Sequence, residues 1–126
     1  MDTHLAAVFW SVLLFEVKHF LCDFVLQTRY QLLNKGIYGH PSGLVHAGTH
    51  AIGSLPALIV LTHSSLFISM LLIGEFLVHY HTDWLKERIN QRLALTYEHS
   101  LFWVVFGADQ LVHHLTYLFM IVVVST

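Results

Sequence analysis

The stretch Leu101 to Val124, LFWVVFGADQLVHHLTYLFMIVVV, decides the fold. Phe102, Trp103, Val104, Val105, Phe106, Leu118, Phe119, Met120, Ile121 and Val122 fall on all sides of a helix and leave no charged stripe to face water. A soluble four-helix bundle, the competing reading, would need such a stripe. The stretch also exceeds the roughly 20 residues that cross about 30 Å of hydrocarbon.

Three further spans follow by the same reasoning, at about 5 to 27, 44 to 62 and 65 to 85. The whole chain is 56% hydrophobic and only 11% charged, with a mean hydropathy of +0.63, far above what one soluble core requires. The expectation is an all-α integral membrane four-helix bundle, a single four-span domain over residues 1–126. The first span is not read as a signal peptide. Met1 to Ala7 has no Lys or Arg, and the apolar run continues while carrying Glu16, Lys18, His19 and Asp23, so it is expected to stay in the mature protein.

Orientation follows from the positive charges. Arg29 and Lys35 lie between spans one and two, and Lys86, Arg88 and Arg92 between spans three and four. Both connections therefore belong on the cytoplasmic side, with both termini and the His63–Ser65 turn outside. The expected location is a bacterial inner membrane, crossed several times. Trp84 and Trp103 near one interface and Trp10 near the other fit an aromatic belt.

Each span carries one pair of metal-capable residues four positions apart: His19 and Asp23, His46 and His50, His79 and Asp83, Asp109 and His113. Four positions is little more than a helical turn, so each pair projects from one face. Counted from the cytoplasmic ends, the pairs share a level, with span four somewhat deeper. Ionisable groups are costly to keep in lipid, which makes these eight residues the candidate metal ligands. Imidazole and carboxylate suit a divalent ion, zinc first, with manganese or iron as alternatives. Eight ligands exceed one tetrahedral shell. Three aspartates plus a bridging hydroxide would balance two divalent ions, so a two-ion centre is expected.

Glu16 and Glu75 extend the same faces one turn deeper and are the candidate catalytic acids or bases, against the alternative of protonated acids in polar contacts. Lys18 falls off that face near mid-membrane, where it either pairs with an acid or reaches along its stem toward water. Gly48, Gly53, Ala47, Ala51 and Ser54 make span two the close-packing helix, with Pro56 as a bend. The lone Cys22 excludes an intrachain disulfide. Trp84 to Leu95 reads as an amphipathic continuation of span three along the interface. His4, His40, His63 and His99 are expected to be solvated.

Taken together, His19-Phe-Leu-Cys-Asp23-Phe-Val-Leu-Gln27, Asn34-Lys35, His46 to His50, His79-Tyr-His-Thr-Asp83-Trp-Leu-Lys86 and Asp109-Gln110-Leu-Val-His113 resemble a family of small bacterial and phage membrane proteins, catalogued as domain of unknown function 3307. The resemblance runs from about residue 10 to 120 and implies a multi-span inner-membrane protein with no established activity. The motif style is similar, more distantly, to membrane-bound metal-dependent hydrolases. His81, beside His79, is extra to the pattern, and the register of Asp83 favours His79 as the inward ring.

A metal site near one membrane face suits hydrolysis of a phosphoester, amide or ester in a small or lipid-like substrate, with a metal-generated hydroxide as nucleophile. Arg29, Lys35, Arg88 and Arg92 could draw an anionic headgroup, although topology alone accounts for them. The rival reading is a metal- or proton-coupled transporter using the same His and Asp ladder, which at four spans would need an oligomer. Haem held by two histidines leaves three aspartates without a role. Membrane lipid is the expected partner and nucleic acid is not.

Overall fold

The structure is a computed structural model describing residues 2–125, and it is all-helical among them. Helix α1 (Thr3–Phe20) is capped by Asp2 and runs on into a π-helical turn, Leu21–Val25. A short α2 (Arg29–Asn34) follows, closed at its start by a capping box between Thr28 and Gln31. Helices α3 (Pro41–Gly53) and α4 (Leu55–Leu61) form one span interrupted at Ser54. The break falls two residues before Pro56, whose ring clashes with the carbonyl of residue i−4 and which has no N–H to continue the ladder. Helix α5 (Ser65–Arg92) and helix α6 (Ser100–Ser125) are unbroken.

Among the described residues four segments are long and apolar enough to cross a membrane: Thr3–Val25, Pro41–Leu61, Ser65–Arg92 and Ser100–Ser125. The amphipathic continuation expected after span three is the end of α5, which runs unbroken to Arg92. At 28 residues that helix is about 42 Å long, so it outruns the roughly 30 Å of hydrocarbon. It stops in a Schellman motif, with Leu95 N–H donating to the Asn90 carbonyl at 2.9 Å and Ala94 N–H to that of Gln91 at 3.4 Å.

Burial runs opposite to that of a soluble protein. Ile52 and Leu66 are each 72% exposed, whereas His50 is 0% and Glu75 2% exposed. Polar groups fill the bundle and apolar ones coat it, as a lipid solvent demands. The interior is divided along its length. Towards the termini and the 62–64 turn it is packed with Phe15, Ala57, Leu58, Ile68, Leu71, Tyr117, Met120 and Ile121. The opposite half is ionisable.

Candidate metal centre

On α1 the buried stripe is Ser11, Phe15, Lys18, His19 and Cys22. Continued as ordinary α-helix, that stripe would leave Asp23 at its edge. The π-turn, marked by Leu26 N–H donating to the Leu21 carbonyl at 2.8 Å, winds less per residue and turns Asp23 back towards the interior. His46 and His50 project from the close-packed face of α3 with Ala47 and Ala51. Glu75, His79 and Asp83 share one face of α5 with Lys86, and Asp109 and His113 share one of α6 with Tyr117.

The eight expected ligands meet in the ionisable half. Asp23 Oδ1 lies 2.9 Å from His50 Nε2 and 3.2 Å from His46 Nε2. Asp83 Oδ2 is 3.2 Å from His46 Nε2, and its Oδ1 is 3.4 Å from His113 Nε2. His79 sits between His50 and His113, its ring centroid 3.9 Å from each. It is fully buried, yet among the described residues neither of its ring nitrogens has a hydrogen-bond partner, and Asp83 Oδ2 stands off at 3.7 Å. An imidazole buried without a partner needs a reason, and an ion is one.

Among the described residues two groups have donor atoms that all lie within 4.8 Å of one another: Asp23, His46, His50 and His79, and a second of His79, Asp83 and His113. Ligands about 2.0 Å from a tetrahedral ion lie about 3.3 Å apart, which is close to the Asp23 to His46 and His50 spacings.

His19 and Asp109 stand outside both groups. The Lys18 ammonium can only donate, so Tyr117 accepts from it at 3.0 Å and its own O–H donates to His19 Nδ1 at 2.9 Å. His19 Nε2 then donates to Gln110 Oε1 at 2.8 Å, and the Gln110 amide donates to Asp23 at 3.1 Å and Asp109 at 3.2 Å. With both nitrogens engaged, His19 orients the carboxylates. Asp109 is held by Lys86 at 3.2 Å.

Of the two candidate acids, only Glu75 reaches the interior, one turn from His79, where its Oε1 takes a 2.7 Å bond from Lys18 and its Oε2 has no hydrogen-bond partner. The expectation for Glu16 is corrected. Its side chain is half exposed and pairs with His114 at 3.0 Å on the outer surface, because the buried stripe of α1 centres on Phe15 and Lys18 rather than on the line through Glu16.

The sequence reading names no lysine as part of the centre, although it puts Lys86 on the Glu75, His79 and Asp83 face and gives pairing with an acid as one alternative for Lys18. Lys18, assigned off the polar face, is buried in it. Lys35, assigned to a topological loop, is buried with its Nζ 3.1 Å from Asp83 Oδ2. Lys86 lies between Asp83 at 3.6 Å and Asp109 at 3.2 Å. Their only advance signal was place: Lys18 inside a span, and Lys86 continuing the Glu75, His79, Asp83 spacing. His40 is also no free histidine, since its Nδ1 caps α3 by accepting from Ser42 N–H at 3.2 Å, and His99 Nδ1 accepts from Thr96 N–H at 3.0 Å. His81 is exposed and bonds to the Leu77 carbonyl, leaving His79 as the inward ring.

A family model described as a protein of unknown function, DUF3307, matches residues 11–126. The chain belongs to that family. No curated protein and no solved structure matches it. The DUF3307 match spans every residue of the cluster, from Lys18 to Tyr117, so the centre lies wholly within the family's domain.

Proposed function

We propose that this multi-pass protein is a metal-dependent hydrolase of the bacterial inner membrane. Its centre would lie near the cytoplasmic face, with both termini outside and the whole chain acting as one domain. The convergence of Asp23, His46, His50 and His79 from three separate spans supports a metal site most directly. Three imidazoles and a carboxylate are borderline donors that suit zinc, with manganese or iron as weaker fits. A divalent ion there would acidify a bound water and polarise a substrate carbonyl or phosphoryl oxygen. Ligation through His50 Nε2 puts that ring's proton on Nδ1. The 3.5 Å approach of Lys18 to Nδ1, already at the limit of a hydrogen bond, then yields to its shorter bonds to Glu75 and Tyr117.

The chain's own residues do the remaining work. Gln110 and His19 hold Asp23 in place, and Glu75, anchored through one oxygen by Lys18, keeps the other free to accept a proton. A cavity of about 420 Å³ between the first two spans is lined by Lys18, Leu21, Cys22, Leu26, Thr49, Ile52 and Gly53, chain neighbours of Asp23 and His50 among them. An apolar lateral cavity at that depth supports an amphiphilic substrate delivered from the bilayer.

The transport reading needs a polar path to both faces. Phe15, Leu58, Met120 and their neighbours fill the bundle on the terminal side of the cluster, which favours catalysis over passage. The test is an assay of purified, zinc-loaded protein in detergent against p-nitrophenyl esters, phosphodiesters and amides of short and long chain. Turnover that is abolished in Asp23→Asn supports the proposal, and the absence of metal-dependent turnover with all three classes sinks it.

A further inference from the structure

We infer that the centre holds one divalent ion per chain, at Asp23, His46, His50 and His79, and that Lys35 and Lys86 occupy the electrostatic place of a second. This rests on the metal reading above and replaces the two-ion count expected from the ligands alone.

Charge carries the first half of the argument. Four carboxylates are buried or nearly so, Asp23, Asp83, Asp109 and Glu75, and three ammonium groups are buried against them, Lys18, Lys35 and Lys86. Glu87, at 3.8 Å from Lys86 and with a quarter of its side chain exposed, belongs to the solvated rim. With neutral histidines the interior is left one negative charge in excess. One divalent ion carrying a hydroxide cancels that charge. Two divalent ions with one hydroxide would leave two positive charges in a low-dielectric interior, which is a heavy desolvation cost.

Geometry carries the second half. The alternative group of His79, Asp83 and His113 shares its first member with the other. A neutral imidazole offers one unprotonated nitrogen, so His79 cannot serve both ions. Asp83 is already committed, with Lys35 at 3.1 Å on one oxygen and His113 at 3.4 Å and Lys86 at 3.6 Å on the other. A second ion at Asp83 would meet two ammonium groups on the same carboxylate. Asp23, by contrast, has no lysine within ion-pair distance among the described residues, and only Gln110 and histidines contact it.

The experiment is elemental analysis of the full chain, purified in detergent by a tag without histidines, loaded with zinc and desalted. One zinc per chain is expected in the parent, in His113→Ala and in Asp109→Asn, and under a fifth of that in His46→Gln and His50→Gln. Cobalt substitution gives a second readout, a tetrahedral visible band present in the parent and in His113→Ala. The Lys35→Met, Lys86→Met double variant frees Asp83 and Asp109 and should take up a second zinc there with His113, without His79. Two ions in the parent, or loss of the ion in His113→Ala, or a count of one in the double-lysine variant, would overturn the assignment while leaving metal binding intact. No ion in folded parent protein overturns the metal reading as well.

Discussion

Lys18 and Glu75 join across the bundle, α1 to α5, in an ion pair of 2.7 Å with side chains 6% and 1% exposed. Each is the other's principal compensation at a depth where a lone charge is costly. Removing one partner, as in Lys18→Met or Glu75→Gln, should cost about 3–5 kcal/mol, and the Lys18→Met, Glu75→Leu double variant should recover most of it. Unfolding in mixed detergent micelles measures all three. A double variant as unstable as the sum of the singles would rule out the pairing.

Gly53 lies where α3 meets α1. A Cβ there would stand 2.7 Å from Lys18 Cγ and 3.6 Å from Cys22 Sγ, and Lys18 cannot swing away without releasing Glu75. Gly53→Ala should destabilise by about 1–3 kcal/mol. At Gly48 the nearest atom, Phe76 Cε2, is 4.0 Å away, so Gly48→Ala is expected to be neutral. Comparable melting temperatures for the two variants would contradict this packing.

Ala94 adopts φ 49° as the left-handed residue of the Schellman motif that ends α5. A Cβ is disfavoured there, and Ala94→Gly should raise stability by about 0.5–1 kcal/mol. An unchanged or lowered midpoint counts against that local geometry.

Zinc in excess should stabilise the parent, by about 2.7 kcal/mol at a hundredfold excess over Kd. A chelator should reverse the shift, and Asp23→Asn should abolish it. The measurement is the thermal midpoint with and without metal, and equal shifts in parent and variant would mean that zinc binds elsewhere.

Topology can be read on a Cys22→Ser background. A cysteine placed at Ser64 should react with a membrane-impermeant maleimide added outside intact cells, and one placed at Glu98 should react only after lysis. The reverse pattern would move the centre to the outer face.

The four spans were legible because hydropathy over 20 residues is a local quantity, and the inward pairs because helical spacing puts i and i+4 on one face. That reading also selected His79 over His81, through the position of Asp83 alone. Glu16 went astray for a local reason as well. It lies close to the line of His19 and Asp23 by angle, and only the packing of Phe15 and Lys18 reveals where the interior begins. The π-turn left no mark in the residue pattern, although the spacing alone already put Asp23 on the inward face.

From its residues alone, this chain was committed to lipid and to four helices with imidazole and carboxylate at a common depth, since these follow from composition and periodicity along each helix. Which of those groups meet one another depends on how the helices turn and pack. Only the tertiary structure could bring Lys35 from its connection into contact with Asp83, set Lys18 against Glu75 and leave His79 without a hydrogen-bond partner. Those contacts join residues far apart in the chain, and they set buried ammonium groups against the carboxylates of the cluster.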